Sequence, residues 1–245
     1  MMLEGKIAIV TGAGQGMGRG IAEKLAQEGA KVFATSRTLA KVEETARLIN
    51  EQGGTAIAGQ ADVANLDDIK RMFDECEEKL GKADILVANA GIAPMMPIAE
   101  ITPEIFELAY NTNARGTLFC LKEAGARLNE GGHIVCISSS SVSMPVPGMS
   151  VYSSSKAAVH LMANIAAQEF GPRHINVNVV QPGLTITPAF EGTQTEEFMN
   201  AMIERTAMKR LGYPEDIAKV VAFYCSDESE WVTGQVILAN GGCFS

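Results

Sequence analysis

The chain has 245 residues, of which 47% are hydrophobic and 6% aromatic, and its formal net charge is −9. The hydrophobic share excludes an intrinsically disordered chain, and the acidic balance argues against nucleic acid or anionic membranes as partners, because phosphate binding needs a basic surface. The length suits one large domain, because single cores stop growing near ~250–300 residues.

The five cysteines are widely spaced without a C-x-x-C pair, and the three histidines are scattered. This pattern argues against a disulfide framework and a zinc site, so we predict no metal. The first residues lack the charged and apolar regions of a signal peptide, and no run approaches the ~18 apolar residues of a membrane span. We therefore expect a soluble cytoplasmic protein without a membrane partner.

Short β-branched runs alternate with amphipathic stretches along the chain. Strands are predicted at residues 6–11, 31–36, 55–60, 83–88, 133–137, 175–180 and 236–239, and the first helices at residues 17–29, 39–52 and 66–80. The alternation predicts an α/β fold of the Rossmann type, a doubly wound parallel sheet of about seven strands with helices on both faces. No break divides residues 1–245, which predicts a single domain. Residues 184–212 depart from the alternation and are predicted to form a mobile helical flap over the substrate.

A glycine-rich loop, T-G-A-G-Q-G-M-G at residues 11–18, follows the first predicted strand. Glycines at a strand-to-helix turn permit positive φ and let backbone N–H groups approach a pyrophosphate at the positive end of the helix. The spacing differs from the G-x-G-x-x-G of the standard dinucleotide fingerprint. We predict that a nucleotide binds here, with contacts from Gly12, Gln15, Gly16, Met17 and Gly18; the alternative is an ordinary tight turn.

The end of the second predicted strand bears on which dinucleotide is bound. An acidic residue usually stands there and binds the ribose 2′-hydroxyl. Here the strand ends at Ser36 and is followed by Arg37. A guanidinium can hold a 2′-phosphate by a bidentate, charge-assisted contact, so Arg37 favours NADP(H) over NAD(H). The alternative is a solvated arginine at a helix start.

Tyr152 and Lys156 are four residues apart in a predicted helix, which places them on one helical face. A nearby ammonium group favours the phenolate, so the pair predicts a lowered pKa for Tyr152 and a usable acid or base near neutral pH. Taken alone, the spacing is also common on helix surfaces.

Together with the glycine loop, this pair resembles the single-domain branch of the short-chain dehydrogenase/reductase family, over nearly the whole chain. The glycine loop matches the family's T-G-x-x-x-G-x-G and the pair its Y-x-x-x-K. The other shared motifs are D-V at Asp62-Val63, N-A-G at Asn89-Ala90-Gly91, N-x-x-G from Asn113 to Gly116, a serine thirteen residues before the tyrosine at Ser139, and P-G-x-x-x-T at Pro182, Gly183 and Thr187. Two positions depart from the family: Ala88 replaces the first Asn of a frequent N-N-A-G, and Gln15 stands where many NADP-preferring members have a basic residue.

The resemblance implies reversible hydride transfer between a nicotinamide cofactor and a ketone or secondary alcohol. It implies that Tyr152 is the general acid/base, that Ser139 hydrogen-bonds the substrate oxygen, and that Lys156 binds the nicotinamide ribose. Asn113 would hold a water of the proton relay, or instead cap or kink its helix, with Asn111 as a rival. In the same family the D-V pair lies against the adenine, N-A-G is the turn after the fourth strand, and the backbone after Pro182-Gly183 meets the nicotinamide together with Thr187.

The substrate in this family lies near three segments, residues 92–97, 140–150 and 184–208, which here contain seven of the twelve methionines. Methionine surfaces are apolar and adaptable, so we predict a bulky hydrophobic ketone or alcohol, such as a steroid, cyclic or aromatic compound. The predicted contacts are Ser139, Tyr152, Met95, Met144, Met149 and Phe190. Alternatively, these methionines pack against the sheet or a neighbouring subunit.

Two other functions stay open at this point. The first is a 3-oxoacyl-acyl-carrier-protein reductase; such enzymes resemble this chain and use two basic residues to hold their acidic carrier. Arg173 lies near one of these positions, but Glu130 stands at the other. The negative net charge also repels an acidic carrier. A non-catalytic nucleotide-binding regulator is a more remote alternative, because such proteins usually lose the tyrosine or lysine. The resemblance also implies a homotetramer, supported by apolar stretches at residues 114–128, 151–167 and 236–244.

Overall fold

The computed structural model describes residues 1–188 and 195–243. Its strands form one parallel sheet in the order β3-β2-β1-β4-β5-β6-β7. They are β1 (Ile7–Thr11), β2 (Lys31–Ser36), β3 (Thr55–Gln60), β4 (Ile85–Ala88), β5 (His133–Ile137), β6 (Asn176–Pro182) and β7 (Val236–Ala239). The α-helices are α1 (Gly16–Gln27), α2 (Leu39–Glu51), α3 (Leu66–Lys79), α4 (Pro103–Tyr110), α5 (Gly116–Arg127), α6 (Ser150–Phe170), α7 (Glu196–Arg205) and α8 (Pro214–Tyr224).

Helices cover both faces of the sheet. Ala8 and Val10 of β1 belong to one apolar core and Ile9 to the other, as the alternation of side chains along a strand requires. Apolar residues of α1, α2 and α8 complete the first core, and those of α3, α5 and α6 complete the second. Because both faces are covered, β4 and β5 are buried from end to end. The predicted doubly wound α/β fold is therefore confirmed.

The strand order reverses at β1, which pairs with β2 on one side and with β4 on the other. In open parallel sheets, ligands bind in the crevice beyond the carboxyl ends of the strands at such a reversal. The loops that follow β1, β2 and β4 meet at this crevice. These loops carry the glycine-rich sequence, the serine–arginine pair and the N-A-G turn.

A π-helical turn, Asn111–Arg115, joins α4 to α5. The sequence analysis placed no helix at α4 and no such turn. A single π turn inserts one extra residue into a helix and is frequent at functional sites. Here it lies around Asn113, so this residue marks an irregularity of its helix rather than a cap.

The region from residue 184 to 212 contains α7 and an isolated bridge between Thr185 and Gly212. The described part of the predicted flap is thus partly helical, and Phe190 lies outside the described residues. No helix in the described ranges is both long and apolar enough to cross a membrane.

Candidate active site

The glycine loop connects β1 to α1 in a conformation that other residues rarely adopt. Gly12 and Gly16 have φ values of 68° and 57°. A Cβ atom on Gly12 would lie 2.8 Å from the Cα atom of Ala90, so this loop packs directly against the N-A-G turn. The Nδ2 group of Asn89 donates hydrogen bonds to the carbonyl oxygens of Thr11, at 2.9 Å, and of Gly12. Asn89 therefore ties the loops after β1 and β4 together.

A cavity of about 300 Å³ opens between these loops at the carboxyl ends of the strands. It is lined by most of the predicted cofactor contacts: Gly12, Gln15, Gly16, Met17, Gly18, Ser36, Arg37, Asp62, Val63, Asn89, Ala90, Gly91 and Thr187. Tyr152, Lys156, Pro182 and Gly183 lie outside its lining. A Cβ atom on Gly16 would stand 3.2 Å from the Cβ atom of Thr187, which closes one end of the cavity.

The end of β2 carries a second basic residue that the sequence analysis missed. Lys41, in the first turn of α2, lines the cavity with Arg37, and its Nζ donates a 2.7 Å hydrogen bond to Oε1 of Gln15. A signal was available, because a lysine in a first helical turn faces the positive end of the helix dipole and is unfavourable without an anion nearby. Neither cation has an ion-pair partner among the described residues.

Asp62 and Val63 line the same cavity after β3. An Asp62 side-chain oxygen accepts the Ala64 N–H, which fixes the carboxylate in a local turn. A Cβ atom on Gly116 would lie 2.8 Å from the carbonyl oxygen of Val63, so the glycine of the N-x-x-G motif allows this segment to pack on α5.

Asn113 is fully buried and joins the loop after β4 to α6. Its Oδ1 accepts the Ile92 N–H at 2.9 Å, and its Nδ2 donates to the Ile92 carbonyl oxygen and to the Ser155 hydroxyl. Both hydrogens of the amide group are therefore engaged, while Oδ1 keeps one lone pair. A Cβ atom on Gly91 would meet this Oδ1 and the Nζ of Lys156, each at 3.1 Å, so both atoms face Gly91.

Tyr152 and Lys156 occupy the first two turns of α6, as the sequence predicted. Nζ of Lys156 donates a 2.7 Å hydrogen bond to the carbonyl oxygen of Ile137, at the end of β5. Burial lowers the pKa of Lys156 to about 8. Burial also raises the pKa of Tyr152, against the opposing effect of a hydrogen bond with Ser139. The predicted lowering of the Tyr152 pKa by Lys156 is therefore wrong here, because burial outweighs the hydrogen bond.

Ser139 begins a short 3-10 turn, Ser140–Val142, directly after β5. Its neighbour Ser138 is buried and donates to the carbonyl oxygen of Lys156 at 3.0 Å, which fits a structural role. Of the serines in this run, Ser139 is the one whose hydrogen bond opposes the rise in the pKa of Tyr152.

The predicted substrate-contacting methionines, Met95, Met144 and Met149, lie in two loops that contact each other. The Met96 N–H donates to the Gly148 carbonyl oxygen at 2.8 Å, which joins residues 92–97 to residues 140–150. Met95 is 57% exposed, whereas Met144 and Met149 are half-buried. These loops provide apolar surface beside the start of α6.

Pro182 is the last residue of β6, and Gly183 follows it. A Cβ atom on Gly183 would lie 2.7 Å from Asn240, so this glycine permits close packing against the segment after β7. Gly183 lines a second cavity, together with residues of α7 and the C-terminal segment.

Known proteins are similar to this chain over almost its whole length. A family model described as enoyl-(acyl carrier protein) reductase matches residues 12–243. A short-chain type dehydrogenase/reductase of Picea abies is 39% identical over 98% of this chain and 93% of its own length.

The chain belongs to the short-chain dehydrogenase/reductase family. A versicolorin reductase of Emericella nidulans is 38% identical and covers 99% of this chain and 97% of its own length. The crystal structure of a short-chain dehydrogenase from Burkholderia cenocepacia in complex with NADP superposes with a TM-score of 0.94, at 34% identity and 99% coverage of both chains. The protein is thus an oxidoreductase of this family.

The residues of the crevice fit the nicotinamide dinucleotide that the family uses. Gln15, the N-cap of α1, makes no side-chain hydrogen bond to the helix, and Gly16, Met17 and Gly18 line the cavity, so the first N–H groups of α1 suit a pyrophosphate. Arg37 after β2 and Lys41 of α2, neither with an ion-pair partner in the described part of the chain, line the same cavity.

Proposed function

We propose that the protein is an NADP(H)-dependent oxidoreductase that interconverts a bulky, hydrophobic ketone and the corresponding secondary alcohol within a single domain. The observation that carries this proposal is the pairing of two half-buried hydroxyls, those of Ser139 and Tyr152, one helical turn from the buried ammonium group of Lys156. Tyr152 can act as the acid, Ser139 as a hydrogen-bond donor and Lys156 as a cation, and carbonyl reduction requires these three groups close together.

A bound nicotinamide cofactor supplies the hydride. Tyr152 donates its phenolic proton to the carbonyl oxygen during reduction and takes it back during oxidation. A high pKa suits the phenol as the acid, because it keeps the proton at neutral pH until the substrate oxygen becomes basic. Ser139 donates a hydrogen bond to the same oxygen and stabilises the charge that develops there.

Lys156 and Asn113 assist this proton transfer by holding the cofactor and a water molecule. We propose that Lys156 holds the nicotinamide ribose hydroxyls through its protonated Nζ. The remaining lone pair of Asn113 Oδ1, which faces Gly91 beside that Nζ, is the place where a water of the proton relay can donate a hydrogen bond.

Preference for NADP(H) is supported by Arg37 and Lys41. Together they line the cavity at the end of β2, where an NAD-specific protein has a carboxylate. Asp62 also lines this cavity, with one oxygen committed to the Ala64 N–H. We propose that the guanidinium and the ammonium both contact the 2′-phosphate.

A bulky apolar substrate is supported by the methionines at the start of α6. The Met96–Gly148 hydrogen bond holds the two methionine-bearing loops together, so they form one surface rather than two separate ones. We propose Met95, Met144 and Met149 as substrate contacts, with Phe190 retained from the sequence, and residues 184–212 as the cover.

Reduction of a carrier-bound acyl chain is less well supported. Nε of Arg173 donates to Glu130 at 2.8 Å, and its terminal nitrogens donate to the carbonyl oxygens of Gly125 and Leu128. Arg173 therefore binds the end of α5 and a neighbouring carboxylate, which reduces its attraction for an acidic carrier protein. The matching family model is described as an enoyl-(acyl carrier protein) reductase. Carrier-linked substrates are therefore included in the experiment below.

We also propose a cytoplasmic homotetramer. All five cysteines are buried free thiols, which fits a reducing compartment. Leu118 of α5, with Leu161 and Ile165 of α6, is exposed, and these three form an outward apolar surface suited to a second copy.

The experiment measures the reduction of a panel of carbonyl compounds by NADPH, and the rate is read from the loss of nicotinamide absorbance. Cyclic and aromatic ketones should exceed small polar ketones and carrier-linked 3-oxoacyl or enoyl substrates in kcat/KM. A higher kcat/KM for small polar ketones would contradict the apolar pocket, and a higher value for a carrier-linked substrate would favour the alternative.

A further inference from the structure

Three serine hydroxyls form a continuous hydrogen-bonded chain that ends at the proposed substrate-binding serine. Oγ of Ser153, in the first turns of α6, lies 2.9 Å from Oγ of Ser141. Oγ of Ser141 lies 2.9 Å from Oγ of Ser139. The chain crosses from α6 to the 3-10 turn after β5, so it connects the two elements that carry Tyr152 and Ser139.

Ser141 occupies both acceptor positions of Ser139. The backbone N–H of Ser141 donates to Oγ of Ser139 at 3.2 Å, and the Ser141 hydroxyl donates to the same atom. A hydroxyl oxygen has two acceptor lone pairs and one O–H donor. With both lone pairs used, Ser139 can only donate.

The direction of the chain follows from its far end. Among the described residues, Oγ of Ser153 has no hydrogen-bond acceptor other than Ser141. If the chain ran the opposite way, the Ser153 hydrogen would have no acceptor among the described protein groups, and the Ser139 hydrogen would be used by Ser141 instead of Tyr152. The favourable direction runs from Ser153 through Ser141 to Ser139, and the Ser139 hydrogen is then available for the hydrogen bond that opposes the raised pKa of Tyr152.

We propose that Ser141 and Ser153 are positioning residues that fix the Ser139 hydroxyl as an obligate hydrogen-bond donor toward the substrate oxygen. The inference rests on the proposed ketone–alcohol activity. It has a specific consequence for that activity. An alcohol substrate cannot donate its proton to Ser139, so the proton must pass to Tyr152, while Ser139 donates to the same oxygen in either direction.

The test combines single substitutions with a double-mutant cycle. Ser141→Ala should lower kcat for ketone reduction about five- to tenfold, the factor that one net neutral hydrogen bond represents, with KM within about twofold of the wild-type value. Ser141→Thr keeps the hydroxyl and should restore most of kcat. Ser153→Ala, which is safe for folding because alanine favours a helix, should lower kcat by a smaller factor.

The matched control is Ser154→Ala, one residue further along α6. Its exposed hydroxyl donates to the Val151 carbonyl oxygen within the helix and takes no part in the chain. In the Ser139→Ala background, Ser141→Ala should have no further effect on kcat, because its action passes through Ser139. A loss of packing would instead lower kcat equally in both backgrounds, and that result would overturn the proposal.

A second measurement is independent of any substrate. In protein labelled with ¹³C at the tyrosine Cζ, the Tyr152 signal is assigned by its absence in Tyr152→Phe. It should shift in Ser141→Ala, because Ser139 no longer has a fixed donor direction, and stay in place in Ser154→Ala. An unchanged Tyr152 signal in Ser141→Ala would overturn the hydroxyl chain itself. If the signal shifts in Ser141→Ala but the wild-type protein reduces no ketone, the proposed function is overturned and the hydroxyl chain stands.

Discussion

Nζ of Lys156 donates a 2.7 Å hydrogen bond to the carbonyl oxygen of Ile137, in surroundings that lower its pKa to about 8. The usual lysine value is 10.5. Between pH 8 and 10.5 the unfolded chain therefore retains a proton that the folded chain has released. The free energy of unfolding should rise with pH over this window, by up to about 3 kcal/mol from this group.

Urea unfolding of wild type and Lys156→Met at several pH values isolates this effect. Four buried thiols, whose pKa values are raised by burial, lower the stability of both proteins as pH increases above 9. The contributions of Cys76, Cys120 and Cys225 are shared by both proteins. Because Lys156 also lowers the pKa of the Cys136 thiol, the difference in unfolding free energy between the two proteins is followed between pH 8 and 9, below the range in which the thiols contribute. This difference should grow in favour of wild type from pH 8 upward. Parallel pH profiles would contradict the lowered pKa.

The two cations at the end of β2 should determine cofactor preference. Removal of a charge-assisted hydrogen bond to the 2′-phosphate, by Arg37→Ala or Lys41→Ala, should lower kcat/KM for NADPH about 10- to 100-fold and leave the value for NADH nearly unchanged. Lys31→Ala is the matched control, because Lys31 is an exposed cation at the opposite end of the same strand. Equal losses for NADPH and NADH would show that these residues do not contact the phosphate.

The exposed apolar surface formed by Leu118, Leu161 and Ile165 should be an interface between subunits. Leu161 is 63% exposed, the largest of the three values. Leu161→Glu should reduce the mass measured by light scattering from that of a tetramer to a dimer or monomer, because an interface charge would be buried without a partner. Gln52→Glu adds the same charge at the exposed residue directly after α2 and should leave the mass unchanged. A wild-type monomer would refute this assembly.

The sequence predicted the sheet well, because strands that are covered on both faces consist of consecutive apolar residues. β7 has the predicted bounds, and β6 extends to Pro182 rather than ending at residue 180. The π turn around Asn113 was not predictable, because one extra residue in a helix leaves the apolar periodicity almost unchanged.

Features that depend on three-dimensional surroundings escaped the sequence analysis. The i, i+4 spacing placed Tyr152 and Lys156 on one helix, but their burial, which decides both pKa directions, comes from β5 and its following turn. Lys41 was missed because its distance from Gln15 depends on how α2 packs beside the glycine loop. The link from Ser153 to Ser139 likewise joins two elements whose proximity the spacing alone does not give.

The role of Tyr152 is the central claim, and one substitution tests it most directly. Tyr152→Phe removes the phenolic proton while preserving the ring. With NADPH and the best ketone of the panel, kcat should fall about 10²- to 10⁴-fold, while the dissociation constant for NADPH, measured by calorimetry, should stay within about twofold of the wild-type value. A Tyr152→Phe protein that reduces the ketone at the wild-type rate would contradict the account.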